Sequence, residues 1–108
     1  MARPKKDGFP EWKPQRNTIR KFYSSNFRER YKALRNSSSN FIRKEEVRNY
    51  IFEKYNHKCY ICGFEGDLQI DHIVSVYEVA KGIREINYLN REENLAAICT
   101  KCNSSKPA

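Results

Sequence analysis

The residues best suited to chemistry are four cysteines in two Cys-x-x-Cys pairs, Cys59/Cys62 and Cys99/Cys102, with 36 residues between the pairs. Two residues between thiolates let both sulfurs face one ion about 2.3 Å away, and two such turns complete a tetrahedron. With sulfur at all four positions no site is left for a substrate, so the expected ion is a structural Zn2+. Two disulfides, or a redox Cys-x-x-Cys, are the competing readings of this spacing. An intracellular chain, where thiols stay reduced, favours metal. His57, two residues before Cys59, is redundant as a fifth ligand and reads as a surface histidine.

The other histidine, His72, directly follows Asp71 inside the loop that the cysteines close. Asn94 lies downstream, and Asn103 comes immediately after the last cysteine. Neutral imidazole near pH 7 is well placed to take a proton from water. One carboxylate and one carboxamide oxygen offer a hard oxygen site, with room for water and phosphate, that suits Mg2+ or Mn2+. Hydrolysis of a phosphodiester needs both an activated water and a cation where charge builds. Neighbouring side chains on a strand point to opposite faces, so Asp71 and His72 can share one phosphate only at a bend or strand end. An Asp-His dipeptide by itself is also an ordinary polar strand end.

The stretches CYICG, LQIDHIVSV and NLAAICTKCNSSK resemble, in order, spacing and residue type, the HNH endonuclease family, the ββα-metal or His-Me finger nucleases. The resemblance spans about residues 44–106, and the form with two cysteine pairs is similar to small phage-encoded members. It implies a small α+β fold in which a ββα-metal core is clamped by a four-cysteine structural zinc and preceded by basic helices. It further implies His72 as general base, with Asp71 and Asn103 as protein ligands of a catalytic divalent cation. Asn94 takes the place of the middle asparagine, which braces the loop near the base. Two departures stand out. A further metal-binding histidine found in some members falls at Pro107 here, so no third ligand is assigned. The stretch around Tyr77–Leu89 is an insertion whose role the resemblance does not give; a substrate contact is one reading.

Elements must position these groups. Ile19, Phe22, Tyr23, Phe27, Tyr31 and Leu34 fall three and four apart, which predicts one helix from about Ile19 to Arg35. Arg20, Lys21, Arg28, Arg30, Lys32 and Arg35 occupy its other positions, and Ser37–Asn40 reads as a break. A second helix is expected over about Lys44–Tyr55, with Glu45 and Glu46 at its positive end. Leu68–Val74 reads as a strand, Tyr77–Ile86 as a short helix broken at Gly82, Asn94–Ile98 as a compact apolar segment, and the residues after Thr100 as a short helix. Pro4, Pro10 and Pro14 make residues 1–18 an extended basic arm, for which Phe9 and Trp12 are possible anchors. Residues 19–43 then form a basic helix and linker, and residues 44–108 the domain that carries the chemistry.

Composition sharpens this division. The chain of 108 residues has a formal net charge of +8. Residues 1–44 hold 13 Lys/Arg against 3 Asp/Glu, while residues 45–108 hold 8 against 10. A basic half on a near-neutral half suits a polyanion, and DNA is the expected partner, held by the six cations above and by Lys106. Residues from the apolar group AVILMFWYC make up 39%, a thin supply for a core, and zinc would compensate for it. No apolar run approaches a membrane span and the first residues lack the apolar segment of a signal peptide, so the expected location is cytoplasmic, or host cytoplasm if the gene is a phage gene. The activity expected is metal-dependent DNA cleavage, by nicking or double-strand cutting. The alternative is a non-catalytic zinc-ribbon module that binds nucleic acid. A homodimer and phage packaging proteins are further candidate partners.

Overall fold

The computed structural model describes residues 9–24 and 26–106 and orders them as three helices, a strand, a short helix, a second strand and a last helix. The apolar spacing of residues 19–35 does make helix, but in two pieces. Helix α1 spans Arg16–Ser24 and α2 spans Phe27–Ile42. Asn26 starts the second piece: its side chain accepts the Glu29 amide at 3.0 Å, satisfying one of the unpaired amides of the first turn.

Helix α2 also corrects the expected break at Ser37–Asn40, which lies wholly within it. Serine is a slightly poor helix former, by roughly half a kcal/mol relative to alanine, and packing outweighs that. Leu34, Ser38 and Phe41 recur at i, i+4 and i+7 and form the buried stripe of α2. Helix α3, Glu45–Lys54, buries Val47 and Ile51 in the same way, with Glu45 and Glu46 in its first turn. Residues 9–15 carry no regular structure, yet Phe9 meets Phe41 and Tyr50 edge-on at 5.8 and 5.3 Å and Trp12 packs against the core. The first eight residues of the expected arm lie outside the described residues, as does Pro107.

Strands β1, Leu68–His72, and β2, Leu95–Cys99, pair antiparallel, with Asp71 opposite Ala96 and His72 opposite Leu95. β2 runs directly into α5, Thr100–Ser105, so β1, β2 and α5 together form a ββ-α unit around one small sheet. All five residues of β2 are buried. That explains its continuous apolar sequence: it has no solvent face on which to alternate.

The long connection between the strands is built rather than loose. Helix α4, Val76–Ala80, opens with a reciprocal cap in which Ser75 Oγ accepts the Glu78 amide and Glu78 accepts the Ser75 amide. It ends earlier than the expected helix, and Gly82 makes the turn after it with φ of +91°. Val79, Ala80, Ile86 and Leu89 then pack on Leu34 of α2, forming a core cluster between the connection and the N-terminal helices. Arg30 Nε donates to the Ala80 carbonyl at 3.1 Å and fastens α4 to α2.

Candidate active site and metal centre

The two Cys-x-x-Cys turns meet. The sulfurs of Cys59, Cys62, Cys99 and Cys102 all lie within 4.8 Å of one another, and all four are free thiols. Cys62 and Cys99 Sγ are 3.7 Å apart. Sulfurs at about 2.3 Å from a shared ion would be about 3.8 Å apart, whereas a disulfide needs about 2.05 Å. The spacing therefore fits tetrahedral zinc and not a bridge. Each turn also aims a backbone amide at sulfur: Ile61 N donates to Cys59 and Cys102 N to Cys99, both at 3.4 Å. Burial pushes the Cys59 thiol up, but amides from Cys62, Cys99 and Ile61 outweigh it and bring it down to about 6. Hydrogen bonding with Cys62, and then burial, hold Cys102 up to about 12, so one proton-poor sulfur is already favoured among its neighbours. Gly63, with φ of +80°, lets the first turn close through its amide onto Cys59 O. His57 is exposed and outside the cluster.

His72 ends β1 and borders an open groove with Asp71, Asn103 and Lys106. Its Nε2 lies 2.8 Å from Asn90 Oδ1 and 3.0 Å from Ser38 Oγ. Ser38 Oγ in turn donates to the same Asn90 oxygen at 3.0 Å. A carbonyl oxygen only accepts, so this three-membered cluster puts the ring proton on Nε2 and leaves the Nδ1 lone pair as the base. Burial lowers the pKa of His72 most; the bond to Asn90 and the charge of Asp71 work upward, and Lys106 works downward. The net direction is down, which keeps the ring neutral near pH 7.

Asp71 is 8% exposed and opposite Ala96. Its Oδ2 accepts from Tyr60 OH at 3.0 Å and from Lys106 Nζ at 2.7 Å, and Lys106 also reaches the His72 carbonyl at 3.3 Å. Burial, and then Asp71 itself, push Tyr60 up to about 12, so the phenol remains a donor. Lys106 therefore closes an ion pair at the site instead of projecting freely from it. Asn103, on α5, donates through Nδ2 to Gln69 Oε1 at 2.7 Å, which leaves its carbonyl oxygen for another partner. Asp71 and Asn103 border one groove. A carboxylate and a carboxamide oxygen beside a point that already attracts an ammonium form a donor set that fits a hard divalent cation with open positions.

Asn94 is fully buried and works on backbone alone. It accepts the Val74 amide at 2.7 Å and donates to the carbonyls of Val74 and Leu89 at 3.0 and 2.8 Å, while its own carbonyl accepts the Ile73 amide. These bonds hold the chain as it leaves β1, directly after His72. The strand ends there, which resolves how adjacent side chains reach one groove.

The six cations of the N-terminal helices do not form one face. Arg28, Lys32 and Arg35 recur at i, i+4 and i+7 on α2, all exposed, and Arg35 reaches the groove beside His72. Arg30 is partly engaged with Ala80, and Arg20 donates to Asn17 at 2.6 Å. Lys21 borders a separate cleft between α1 and α2. Ser38, Asn90 and Tyr60 are the site residues that the sequence does not reveal. Asn90 is 2% exposed, and its Nδ2 has no partner among the described residues. A buried, partly unsatisfied amide touching the base is a signal legible only in three dimensions.

Among comparisons with known proteins, the family model of the HNH endonucleases matches residues 59–108, a segment that holds both cysteine pairs, Asp71, His72, Asn90, Asn94 and Asn103. No curated protein and no solved structure matches the chain.

Proposed function

We propose, from the match of residues 59–108 to the HNH endonuclease family model, that the chain is a metal-dependent DNA endonuclease in which His72 is the general base and Asp71 and Asn103 hold one Mg2+ or Mn2+. The observation that carries this reading is the His72 cluster: a neutral ring, its proton fixed on Nε2 by Asn90, at the edge of a groove bordered by Asp71 and Asn103. Nothing in a purely structural zinc module calls for a histidine so arranged.

In this mechanism Nδ1 of His72 takes a proton from water, and the hydroxide formed attacks phosphorus. The bond to the 3′ oxygen breaks, and that oxygen takes a proton from solvent to leave as a hydroxyl. As Nδ1 gains its proton, the Nε2–H bond to Asn90 becomes charge-assisted and strengthens in the transition state. Tyr60 holds the orientation of Asp71, and Asn94 holds the backbone from which His72 projects. When bound, the divalent cation supplies positive charge to the phosphate and the leaving oxygen. The basic surface of α2 and the surrounding cations supply affinity for phosphates. The cysteine centre contributes structure alone, tying the turn before β1 to the junction of β2 and α5.

Supercoiled and linear DNA incubated with the purified chain, with Mg2+, with Mn2+ and with EDTA, tests the reading. Cleavage in both metals is expected, and none without added divalent cation or in EDTA, with zinc content measured in the EDTA arm to separate loss of the catalytic cation from loss of the fold. A chain that binds DNA and retains zinc yet never cuts would be the zinc-ribbon module instead. No helix among the described residues is long and apolar enough to cross a membrane.

A further inference from the structure

One wall of the groove beside His72 takes no part in the chemistry above. Tyr31 and Arg35 of α2 and Tyr77 of α4 form it. Phe27 and Tyr31 stack with centroids 6.0 Å apart and planes 7° from parallel. Tyr77 meets both rings edge-on, at 5.2 and 6.0 Å, and is itself 45% exposed. Lys81 Nζ lies 5.4 Å from the Tyr77 centroid. Neither tyrosine hydroxyl, nor the Arg35 guanidinium, has a hydrogen-bond or ion-pair partner among the described residues. Three rings from two elements, fastened by the Arg30–Ala80 bond, thus present a firm aromatic edge with free donors beside the proposed base.

We propose that Tyr77, backed by Phe27 and Tyr31, is a stacking subsite for an unpaired base next to the scissile phosphate. The preferred substrate is then DNA with single-stranded character at the cut. This rests on the endonuclease reading. In a duplex each base face is covered by its neighbours, so an aromatic side chain in the groove has nothing to stack on. An unpaired nucleotide exposes that face, and stacking on an aromatic side chain is tolerant of sequence. Arg35 and Lys81 around the rings match a polyanionic strand, and the wall is continuous with the groove of His72.

Fluorescence anisotropy with the zinc-loaded His72→Ala chain, with no divalent cation added, tests this separately from cleavage, using a 30-mer duplex and the same duplex carrying an unpaired stretch in one strand. The unpaired DNA should bind at least about fivefold tighter, since one stacked base contributes that much or more. Adding Tyr77→Leu, which keeps apolar packing and removes the ring, should bring the ratio near one, whereas Tyr77→Phe should preserve it. A 2-aminopurine in the unpaired stretch should be quenched when Tyr77 is present and when Tyr77→Phe replaces it, and not with Tyr77→Leu. Equal affinity for both DNAs, or a Tyr77→Leu variant that weakens both equally, would overturn the proposal. Absence of cleavage of any DNA in Mg2+ or Mn2+ would sink the endonuclease reading while leaving this binding ratio to be judged on its own.

Discussion

The His72 cluster makes a double-mutant prediction that a simpler picture of the site would not. The Nε2 proton faces two acceptors, Asn90 Oδ1 at 2.8 Å and Ser38 Oγ at 3.0 Å. Removing one leaves the other in place. Ser38→Ala should therefore cost about 0.5–1.5 kcal/mol in transition-state stabilisation, the net worth of one hydrogen bond, or roughly 2- to 10-fold in kcat/KM. Asn90→Ala should fall in a similar range, because Ser38 then accepts from the ring. The double variant leaves a buried N–H with no acceptor and frees the proton to move to Nδ1, which removes the base. Its effect should reach about 3 kcal/mol, on the order of a hundredfold, so that single changes costing about 1 kcal/mol each give a coupling of roughly 1 kcal/mol. The assay is single-turnover nicking of supercoiled DNA at saturating metal, with thermal melting to confirm that each variant folds. Additive effects would refute the idea of shared acceptors. So would a Ser38→Ala variant as inactive as the double.

Other consequences follow from the same geometry. His72 acts as a base only when neutral and its folded pKa lies below the usual 6.5, so cleavage should fall as pH drops through a value under 6.5; removing the Lys106 charge in Lys106→Ala should move that acid limb upward. Lys106→Ala should also lower the metal concentration for half-maximal cleavage, because the ammonium on Asp71 no longer competes, and a metal titration reads this directly. Stripping zinc with a chelator, or replacing Cys59 or Cys99 by serine, should abolish cooperative unfolding in calorimetry, since the sulfurs join both ends of the domain in a chain with little core. The triple variant of Arg28, Lys32 and Arg35 to alanine should flatten the slope of log affinity against log salt by about 0.9 for each phosphate it no longer neutralises, which a binding titration across salt concentrations measures.

Local patterns made much of this fold readable in the sequence. Two Cys-x-x-Cys turns, a branched segment around Asp71-His72 and an apolar segment before the second pair are each short and contiguous, and the structure joins them as β1, β2 and the four-cysteine cluster. The failures share one cause. Ser37–Asn40 has the composition of a break, but Ser38 belongs to the buried stripe of α2, and its reason for being there is a histidine 34 residues away. Asn90 lies just past the insertion with nothing in its neighbours to mark it, and its role comes only from packing that brings it to Ser38 and His72. The ion pair of Lys106 with Asp71 is likewise invisible in the sequence, which shows the charge and not the partner. Charge pattern and periodicity report what a segment prefers; they do not report which distant side chain it meets.

The role of His72 as the base stands or falls on cleavage by the His72→Ala chain, paired with a DNA-binding measurement on the same preparation. Mg2+- or Mn2+-dependent nicking should drop by at least about a hundredfold, in line with removal of a general base, with zinc content and DNA affinity retained. Nicking at the wild-type rate by a folded, zinc-loaded His72→Ala chain would contradict that role.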